Sequence, residues 1–432
     1  MIWSPSVECA TRETIEEIQW ERLKKTVSHV YENVPFYKRK MDEAGLPPEK
    51  IKSMSDFQQL PFTTKADLRD NYPYGFFAVP MKKVIRIHAS SGTTGKPTPV
   101  GYTRADIEMW SECMARIIAM AGGNDEDVAQ ISFGYGLFTG ALGLHFGLEK
   151  IGAAVIPISA GNTEKQLLVM NDFGATILIS TPSYALHLAD SAKQMGLSPS
   201  KTKLRLGLFG AEGHTEAMNK EIESRWDILA TENYGLSEIV GPGVSGECYK
   251  QTGLHINEDC FLPEIIDPVT GEPKALGEEG EMVITTINKE AFPLLRYRTK
   301  DITSLVDGQC PCGRTSMRMT KIKGRSDDML IIKGVNVYPS QVESVILGME
   351  HISPYYQLVL SKKGYVDHME VQVEMVDDSL TENYRDIERV ESQVKAKLHS
   401  VLGLDCKVRL REPGAIERTM GKAKRVIDNR GV

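Results

Sequence analysis

The feature that most constrains the fold is a regular alternation of apolar and amphipathic segments in the middle of the chain. Four short apolar segments, DVAQISF, AAVIPIS, ATILIS and LRLGLFG, occur between residues 127 and 210. Segments with helical spacing, TEKQLLVMNDFG and SYALHLADSAKQMG, separate the later ones. Strands that alternate with helices form a parallel sheet whose two faces are covered. The sequence therefore predicts an α/β fold built on such a sheet.

The chain on either side of this alternation has different patterns. Residues from Thr11 to Ala44 are helical in pattern with a break at Pro35, and Thr103 is placed to cap a helix in RADIEMWSECMARIIAMAG. The segment from Gly253 to Val306 is rich in β-branched residues, Pro and Gly, and contains the turn-like DPVTGEP. This composition predicts antiparallel β structure.

The length of 432 residues is sufficient for about two or three domains. We expect residues 1–326 to form a large N-terminal domain, with a parallel sheet flanked by helices and a β-rich subdomain at about 245–326. Residues 327–432 contain LIIKGVNVYP, a helix candidate from Ser340, two strand candidates and a helix in YRDIERVESQVKAKLHSVLG. They are expected to form a small α+β C-terminal domain.

Composition excludes several classes of protein. The chain is 41% hydrophobic and 25% charged with a formal net charge of -7, which is ordinary for a globular protein and suggests no binding to nucleic acid or membrane surfaces. No apolar run approaches the roughly 18 residues of a membrane span, and the N-terminus lacks a signal-peptide pattern. Seven cysteines make a disulfide framework unexpected. A cytoplasmic protein is the expectation.

A loop rich in glycine and threonine lies in HASSGTTGKPTPVGYT, between the strand candidates VIRIHAS and PTPVGYT. It does not match the Walker pattern, because Ser90 occupies the first glycine position and Pro97 follows the lysine. Its chemistry nevertheless suits phosphate, since Gly92 and Gly95 let backbone amides close around an anion and Lys96 adds positive charge. A polar hairpin turn is the alternative for the loop taken alone.

Six motifs occur together: SSGTTGKPT, FGAE, YGLSE, YRTKD, GRSDDMLIIKGVNVYPSQVE and TMGKAKRV. Their kind and order resemble the adenylate-forming acyl-CoA synthetase superfamily. Within it, GYGLFTG and CPCGR resemble the phenylacetate-CoA ligase family. The resemblance extends from about Pro61 to the end of the chain. It implies that a carboxylate reacts with ATP and Mg²⁺ to give an acyl-adenylate and pyrophosphate, and that coenzyme A then displaces AMP.

The resemblance assigns the nucleotide-binding residues. Glu238 would coordinate magnesium through a hard oxygen ligand, Asp301 would accept hydrogen bonds from the ribose hydroxyls, and Arg325 would be a further nucleotide contact. Lys300 occupies a position where many members of the superfamily have glycine. The β- and γ-phosphates would be held by Ser91, Gly92, Thr93, Thr94, Gly95 and Lys96. The adenine pocket would be formed by Gly210, Ala211, Glu212, Asn233, Tyr234 and Gly235.

The resemblance also implies that the C-terminal domain is mobile. Lys422 in TMGKAKRV matches the lysine that approaches the substrate carboxylate and the α-phosphate, with Lys424 as the alternative two residues later. Asp327 matches the hinge that lets the small domain take two arrangements for two chemical steps. The loop of Lys333, Gly334, Val335 and Asn336 would then lie on the coenzyme A side.

Two further groups of residues are candidates for an acyl pocket and a metal site. Tyr135, Gly136 and Phe138 could accept a flat ring, which favours an arylacetate, although core packing is the alternative. Three thiolates and an imidazole satisfy the tetrahedral preference of structural zinc, and the resembled family has a matching pattern. Cys260 is a rival fourth ligand, and free buried cysteines are the alternative to a metal. The predicted zinc ligands are Cys248, His255, Cys310 and Cys312.

The sequence thus predicts an ATP-dependent, AMP-forming ligase that joins an aryl acid to coenzyme A. Phenylacetate is the expected acid, and phenylacetate catabolism is the expected process. One alternative is an adenylyltransferase-like relative that acts on a different acceptor without coenzyme A. Another is a non-catalytic nucleotide-binding protein, which is disfavoured because Glu238, Asp301 and Lys422 occur together. The helix-rich N-terminus is compatible with a homodimer.

Overall fold

A computed structural model describes residues 1–90, 97–213, 215–332, 335–347, 349–363, 366–378, 384–418 and 424–430. None of the helices formed by these residues is long and apolar enough to cross a membrane. The α-helices are α1 Pro5–Glu8, α2 Arg12–Asn33, α3 Pro35–Glu43, α4 Met54–Phe57, α5 Lys65–Asp70, α6 Arg104–Ala121, α7 Gly140–Ile151, α8 Thr163–Asp172, α9 Pro182–Gln194, α10 Glu216–Trp226, α11 Pro339–Ile346 and α12 Tyr384–Leu402. Short 3₁₀ helices span Pro48–Lys50, Met81–Lys83 and Pro199–Lys201.

The described strands are mostly short, and the two longest, β18 and β19, lie in the second unit. They are β1 Arg86–Ala89, β2 Pro99–Tyr102, β3 Val128–Ile131, β4 Ala154–Ile156, β5 Ile177–Ser180, β6 Leu206–Phe209, β7 Leu229–Leu236, β8 Gly241–Glu247, β9 Leu254–Ile256, β10 Phe261–Ile266, β11 Gly280–Thr286, β12 Tyr297–Thr303, β13 Leu305–Val306, β14 Arg318–Met319, β15 Gly324–Arg325, β16 Leu330–Ile332, β17 Val335–Val337, β18 Ile352–Lys363, β19 Val366–Met375, β20 Lys407–Arg411 and β21 Val426–Asp428.

The chain forms two compact units. The first contains Met1–Ser180, Lys203–Ala211 and Thr231–Thr320, and the second contains Thr181–Thr202, Glu212–Ala230 and Lys321–Val432. The second unit thus includes two earlier segments of the chain in addition to the predicted C-terminal domain. The boundary at Asp327 between two functional domains stays a prediction.

The first unit is built on a nine-stranded sheet with the strand order β13-β14-β9-β8-β7-β6-β5-β3-β4. Strands β4, β3, β5 and β6 pair in parallel, and they are the four apolar segments of the alternating region. This confirms the predicted parallel sheet. Strands β7, β8, β9, β14 and β13 extend it by antiparallel pairing, which the sequence did not predict. Strands β10, β11 and β12 pair antiparallel, as the β-rich segment predicted.

Local sequence signals set the ends of the helices. Thr103 and Asp106 exchange hydrogen bonds in a capping box at the start of α6, as the position of Thr103 predicted. Pro35 interrupts the N-terminal helix and begins α3, where proline needs no amide partner. Helix α6 packs closely on α7, because a Cβ at Gly147 would lie only 2.4 Å from the Cβ of Met114. A Cβ at Gly246 of β8 would likewise lie 2.6 Å from Cγ2 of Ile117, so α6 also packs closely on the nine-stranded sheet.

The second unit has its own apolar core. Strands β20, β19, β18 and β21 form one sheet in that order, and β16 and β17 form a hairpin. Val342 of α11, Val394 and Leu398 of α12 and Leu358 of β18 lie in a single buried cluster. The α+β character predicted for the end of the chain is therefore confirmed.

Candidate active site

The predicted adenine-binding residues of the first unit lie where β6 ends. A Cβ at Gly210 would lie 2.6 Å from the carbonyl oxygen of Asn233, so only glycine allows this approach of the two backbones. The side-chain amide of Asn233 donates a hydrogen bond of 2.8 Å to the carbonyl oxygen of Phe209. Ala211 then adopts a left-handed φ of 70°. These residues lie at the carboxyl end of β6, the end where open α/β sheets bind ligands.

Tyr234 and Asp301 connect the nine-stranded sheet to the antiparallel β10–β12 sheet. The phenol of Tyr234 in β7 donates a hydrogen bond of 2.7 Å to Oδ2 of Asp301 in β12, and both residues are buried. The amide of Asp301 donates to Oγ1 of Thr299 at 3.1 Å. The tyrosine predicted for the adenine pocket and the aspartate predicted to bind the ribose hydroxyls therefore belong to one hydrogen-bonded group.

Lys300 adopts the left-handed region that glycine favours, with a φ of 70°. Its amide donates a hydrogen bond of 3.2 Å to Oε1 of Glu281, and its Nζ lies 3.6 Å from Oε2 of the same carboxylate. Lys300 lies within β12, opposite an irregularity in the pairing of β11 with β12. The contacts with Glu281 hold the lysine in this backbone conformation directly before Asp301.

Glu238 lies in the turn between β7 and β8 and is buried, with 4% of its surface exposed. Its Oε1 lies 3.2 Å from Nζ of Lys65, at the start of α5, and accepts no hydrogen bond of good geometry from the described residues. The strands that flank this turn are very close, because a Cβ at Gly235 would lie 1.8 Å from the carbonyl oxygen of Gly241. A buried carboxylate oxygen whose partner among the described residues is a half-exposed lysine suits a hard cation such as Mg²⁺.

Lys65 is a residue that sequence reasoning missed. Nothing in the segment TTKADLRD distinguishes this lysine from any lysine on a helix surface, and its acidic partner lies far away in the sequence. Only the folded chain brings Lys65 and Glu238 together.

The residues predicted to line the acyl pocket follow β3 and adjoin β1. Oη of Tyr135 lies 3.0 Å from Nδ1 of His145, and burial raises the pKa of this tyrosine. The carbonyl oxygen of Leu137 accepts a hydrogen bond of 2.9 Å from the amide of Ala89 at the end of β1. Phe138 has 37% of its surface exposed. No described residue lies within 4 Å of a Cβ built at the exposed Gly136, so among these residues space remains beside this segment.

Five predicted site residues among the described ones belong to the second unit. Oε1 of Glu212 accepts a hydrogen bond of 2.8 Å from the amide of Ser183 at the start of α9. Arg325 donates two hydrogen bonds, of 2.9 and 3.0 Å, to the carboxylate of Asp327. In the β16–β17 hairpin, Val335 pairs with Ile332, and the backbone of Asn336 pairs with that of Ile331.

Several predicted residues lie outside the described part of the chain, and their roles stay predictions. They are Ser91, Gly92, Thr93, Thr94, Gly95, Lys96, Lys333, Gly334 and Lys422.

The four predicted zinc ligands lie together, with their sulfur and nitrogen atoms all within 4.8 Å of one another. Sγ of Cys248 lies 3.7 Å from Sγ of Cys310, and Sγ of Cys312 lies 3.6 Å from Nε2 of His255. Tetrahedral zinc with bonds of about 2.3 Å to sulfur and 2.0 Å to nitrogen gives edges of about 3.5 to 3.8 Å. The Cys248–Cys310 and Cys312–His255 separations fit these edges.

A neighbouring hydroxyl orients His255, and burial sets the protonation of His255 and Cys248. Nδ1 of His255 lies 2.9 Å from Oγ of Ser316, which leaves Nε2 facing the cysteines. Burial, with Arg314 and Arg318 nearby, lowers the pKa of His255 to about 3, so the ring is neutral, as a metal ligand must be. Burial raises the pKa of Cys248 to about 12 without a metal.

Cys260, the rival ligand, lies outside this cluster. Its sulfur instead lies 3.7 Å from Nδ2 of Asn288 and 4.0 Å from Nη1 of Arg22.

Comparison with known proteins identifies the class first. The family of AMP-binding enzymes matches residues 21–288, and the AMP-binding enzyme C-terminal domain matches residues 334–430. The chain is similar to a crystal structure of 2-hydroxyisobutyryl-CoA ligase in the postadenylation state with R3-HIB-AMP. That match has a TM-score of 0.93 and 28% identity, and it covers 99% of this chain and 92% of the other. The same enzyme with 2-HIB-AMP and CoA in the thioesterification state matches with a TM-score of 0.73.

Curated relatives then identify the family. The chain is 49% identical to the phenylacetate-coenzyme A ligase of Escherichia coli (strain K12), covering 99% of this chain and 97% of that protein. It is 46% identical to the phenylacetate-coenzyme A ligase of Thermus thermophilus over the whole of both chains. The chain belongs to the phenylacetate-coenzyme A ligase family of the adenylate-forming enzymes, which confirms the resemblance of its motifs.

Proposed function

We propose that this protein is an ATP-dependent, AMP-forming ligase that joins phenylacetate to coenzyme A through an acyl-adenylate. The observation that carries this proposal is the 49% identity to a phenylacetate-coenzyme A ligase along nearly the whole of both chains. The hydrogen-bonded pair of Tyr234 and Asp301, next to the end of β6, supports it as a nucleoside site. The alternative without coenzyme A is not favoured, because these relatives are named as coenzyme A ligases.

In the first half-reaction an oxygen of the substrate carboxylate bonds to the α-phosphorus of ATP, and the bond to pyrophosphate breaks. Both reactants are anions, so the site must neutralise charge. In our proposal residues 91–96 hold the β- and γ-phosphates and Asp301 holds the ribose. Glu238 is the proposed ligand for magnesium, which would supply positive charge to the phosphates when bound. Lys422 is proposed to contact the reacting carboxylate and the α-phosphate.

In the second half-reaction the sulfur of coenzyme A attacks the acyl carbonyl, AMP departs with the bonding electrons, and the thiol proton is released. We propose that rotation about Asp327 replaces Lys422 by the loop of residues 333–336 between the two steps. The 2-hydroxyisobutyryl-CoA ligase has been solved in a postadenylation and a thioesterification state, which supports two arrangements. The ion pair of Arg325 with Asp327 lies at the proposed hinge.

The acid is proposed to bind beside Tyr135, Gly136 and Phe138. The carbonyl oxygen of Leu137 in this segment accepts a hydrogen bond from the amide of Ala89. Ala89 ends β1, the strand that precedes the proposed phosphate loop in the sequence. A flat ring could pack on the aromatic side chains, while the open space at Gly136 admits it. These contacts suit an arylacetate.

We also propose a structural zinc ion bound by Cys248, His255, Cys310 and Cys312. The separations of their ligand atoms support this assignment. With four protein ligands the site would be closed, so the metal would tie the β13–β14 loop to β8 and β9 and would not act on substrate. A cytoplasmic location and a homodimeric state stay predictions.

The test is AMP formation from ATP and magnesium with phenylacetate, with and without coenzyme A, using the wild type and Lys422→Ala. Sustained AMP release should need both the acid and coenzyme A, and the substitution should abolish it. Lys424→Ala, the same change two residues later, should keep the activity. If none of a panel of aryl and small apolar acids supports AMP release, the ligase assignment is refuted. If another acid supports AMP release and phenylacetate does not, the proposed acyl pocket is refuted.

A further inference from the structure

The turn that carries Glu238 is held by three buried side chains from three separate parts of the first unit. Each donates a hydrogen bond to a backbone carbonyl that follows Glu238 in the chain. The turn itself is closed by hydrogen bonds from the amides of residues 239 and 240 to the carbonyl oxygen of Leu236. The three side-chain bonds run from Lys289 Nζ to the carbonyl of Ile239 at 2.6 Å, from Tyr102 Oη to that of Val240 at 3.0 Å, and from Trp110 Nε1 to that of Pro242 at 2.6 Å.

Lys289 is unusual among these donors because a lysine is rarely buried. Only 4% of its surface is exposed. Its Nζ lies 4.8 Å from the ring centre of Tyr102 and 5.4 Å from that of Phe292, so two aromatic faces surround the ammonium. Burial lowers the pKa of Lys289 to about 7, and the negative charges of Asp106 and Glu238 oppose this effect.

The backbone next to Lys289 is fixed to the start of α6. The carboxylate of Asp106 accepts hydrogen bonds of 2.6 and 3.0 Å from the amides of Glu290 and Ala291. The same carboxylate accepts a hydrogen bond of 2.8 Å from the amide of Thr103 in the capping box. The lysine therefore extends from a rigid base toward the Glu238 turn.

The same aromatic side chains also contact the strands that flank residues 91–96. The rings of Tyr102 and Trp110 stack at 5.2 Å with an angle of 16° between them. The ring of His88 in β1 meets both of them edge-on, at 5.6 and 5.9 Å. One cluster thus connects the β1–β2 hairpin to the turn of the proposed magnesium ligand.

We propose that Lys289 is a positioning residue that holds the turn of Glu238, and with it the carboxylate, in place relative to β1 and β2 for adenylate formation. The proposal rests on the function proposed above for Glu238. A lysine that served only stability would support both half-reactions equally. A lysine that positions a metal ligand acts on the half-reaction that uses ATP.

The test measures the two half-reactions separately in Lys289→Met, which keeps an unbranched apolar side chain but removes the charge and the hydrogen bond. Pyrophosphate exchange into ATP should fall about 100-fold, the order of effect expected for a catalytic group misplaced by about 1 Å. Thioester formation from synthetic phenylacetyl-adenylate and coenzyme A needs no magnesium ligand and should stay within about twofold of the wild type. An equal loss in both half-reactions, or no loss in either, would overturn the proposal.

A second measurement does not depend on turnover. Binding of Mn²⁺ to the enzyme with a non-hydrolysable ATP analogue, followed by electron paramagnetic resonance, should be several-fold weaker in Lys289→Met. Wild-type affinity for Mn²⁺ in a variant that loses pyrophosphate exchange would contradict positioning of the metal ligand. Lys274→Met makes the same chemical change at a half-exposed lysine paired with Asp267, and it should leave all three measurements unchanged.

Tyr102→Phe keeps the ring but removes the hydrogen bond to Val240, and it replaces Lys289→Met if that variant does not fold. It should show the same split between half-reactions with a smaller loss of about tenfold. The wild type is measured in the same assays. If the wild type shows neither half-reaction, the proposed function fails, whereas an active wild type with no split in the variants refutes only the role of Lys289.

Discussion

The phenol of Tyr234 donates a hydrogen bond of 2.7 Å to the carboxylate of Asp301, joining two different sheets of the first unit. If this bond orients the carboxylate of Asp301 toward the ribose, Tyr234→Phe should raise the KM for ATP about tenfold. The size of this effect follows because a hydrogen bond to a charged group contributes about 1.5 to 3 kcal/mol. The KM for coenzyme A should not change. Steady-state kinetics of AMP release measure both constants.

Tyr31→Phe is a matched control, because the phenol of Tyr31 also donates a 2.7 Å hydrogen bond to an aspartate, Asp42, but on the surface. It should leave the KM for ATP unchanged. Equal effects of the two substitutions, or an unchanged KM in Tyr234→Phe, would show that the bond is merely structural.

Lys300 adopts a left-handed φ of 70°, which costs a residue with a Cβ about 1 kcal/mol relative to glycine. Lys300→Gly should therefore raise the free energy of unfolding by about 1 kcal/mol. Loss of the 3.6 Å ion pair should cost little, because the buried carboxylate of Glu281 keeps its two hydrogen bonds from Arg298. Urea denaturation provides the measurement. Lys300→Ala loses the same charge but keeps the Cβ, so it should give no such gain, and a glycine variant less stable than the alanine variant would contradict the argument.

The sequence predicted the parts of the fold that depend on local pattern. The strands β3 to β6 are apolar because both faces of a parallel sheet are buried, and this leaves continuous runs such as ILIS at Ile177–Ser180. Strand β8, Gly241–Glu247, is just as buried but reads GPGVSGE, so neither alternation nor an apolar run identifies it. Its glycines are required by close contacts with other elements, as between Gly241 and Thr139.

The candidate site also contains residues that the sequence predicted and residues that it did not. Cysteine and histidine are rare enough that their grouping near residues 248–255 and 310–312 suggested a cluster, and the fold brings exactly those four together within the described residues. Lysines are common on surfaces, so nothing in NKEAFP marks Lys289 as buried. Its role depends on tertiary contacts with β2 and the Glu238 turn, which local sequence does not specify.

The Cys248, His255, Cys310 and Cys312 cluster should hold about one equivalent of zinc per chain, as four ligands in tetrahedral spacing predict. Cys312→Ser should lose the metal and unfold more easily, since binding energy at a structural site is folding energy. Elemental analysis and thermal unfolding measure the two effects. Cys260→Ala, which removes the rival ligand, should retain the metal. A purified wild type with less than roughly a tenth of an equivalent would exclude the site.

Asp327 forms a bidentate ion pair with Arg325 at the proposed hinge. Asp327→Pro fixes the backbone φ and should slow thioester formation at least about tenfold more than adenylate formation, because only the second step needs the rotation. Single-turnover measurements of each step provide the comparison. Asp327→Ala removes the same ion pair but leaves the backbone free, so both steps should stay nearly equal to the wild type. Equal slowing of both steps by proline would contradict a hinge.

Lys289 should make stability depend on pH in a defined direction. Burial lowers its pKa from 10.5 to about 7, so between these values the unfolded chain binds a proton that the folded chain has released. The free energy of unfolding therefore rises with pH across this window and loses that gain as the pH falls through 7. Relative to Lys289→Met, which cannot titrate, the wild type should gain about 2 kcal/mol between pH 7 and 9. Urea denaturation at pH 7, 8 and 9 measures the difference, and curves that stay parallel would mean that the buried lysine keeps its proton in the folded protein.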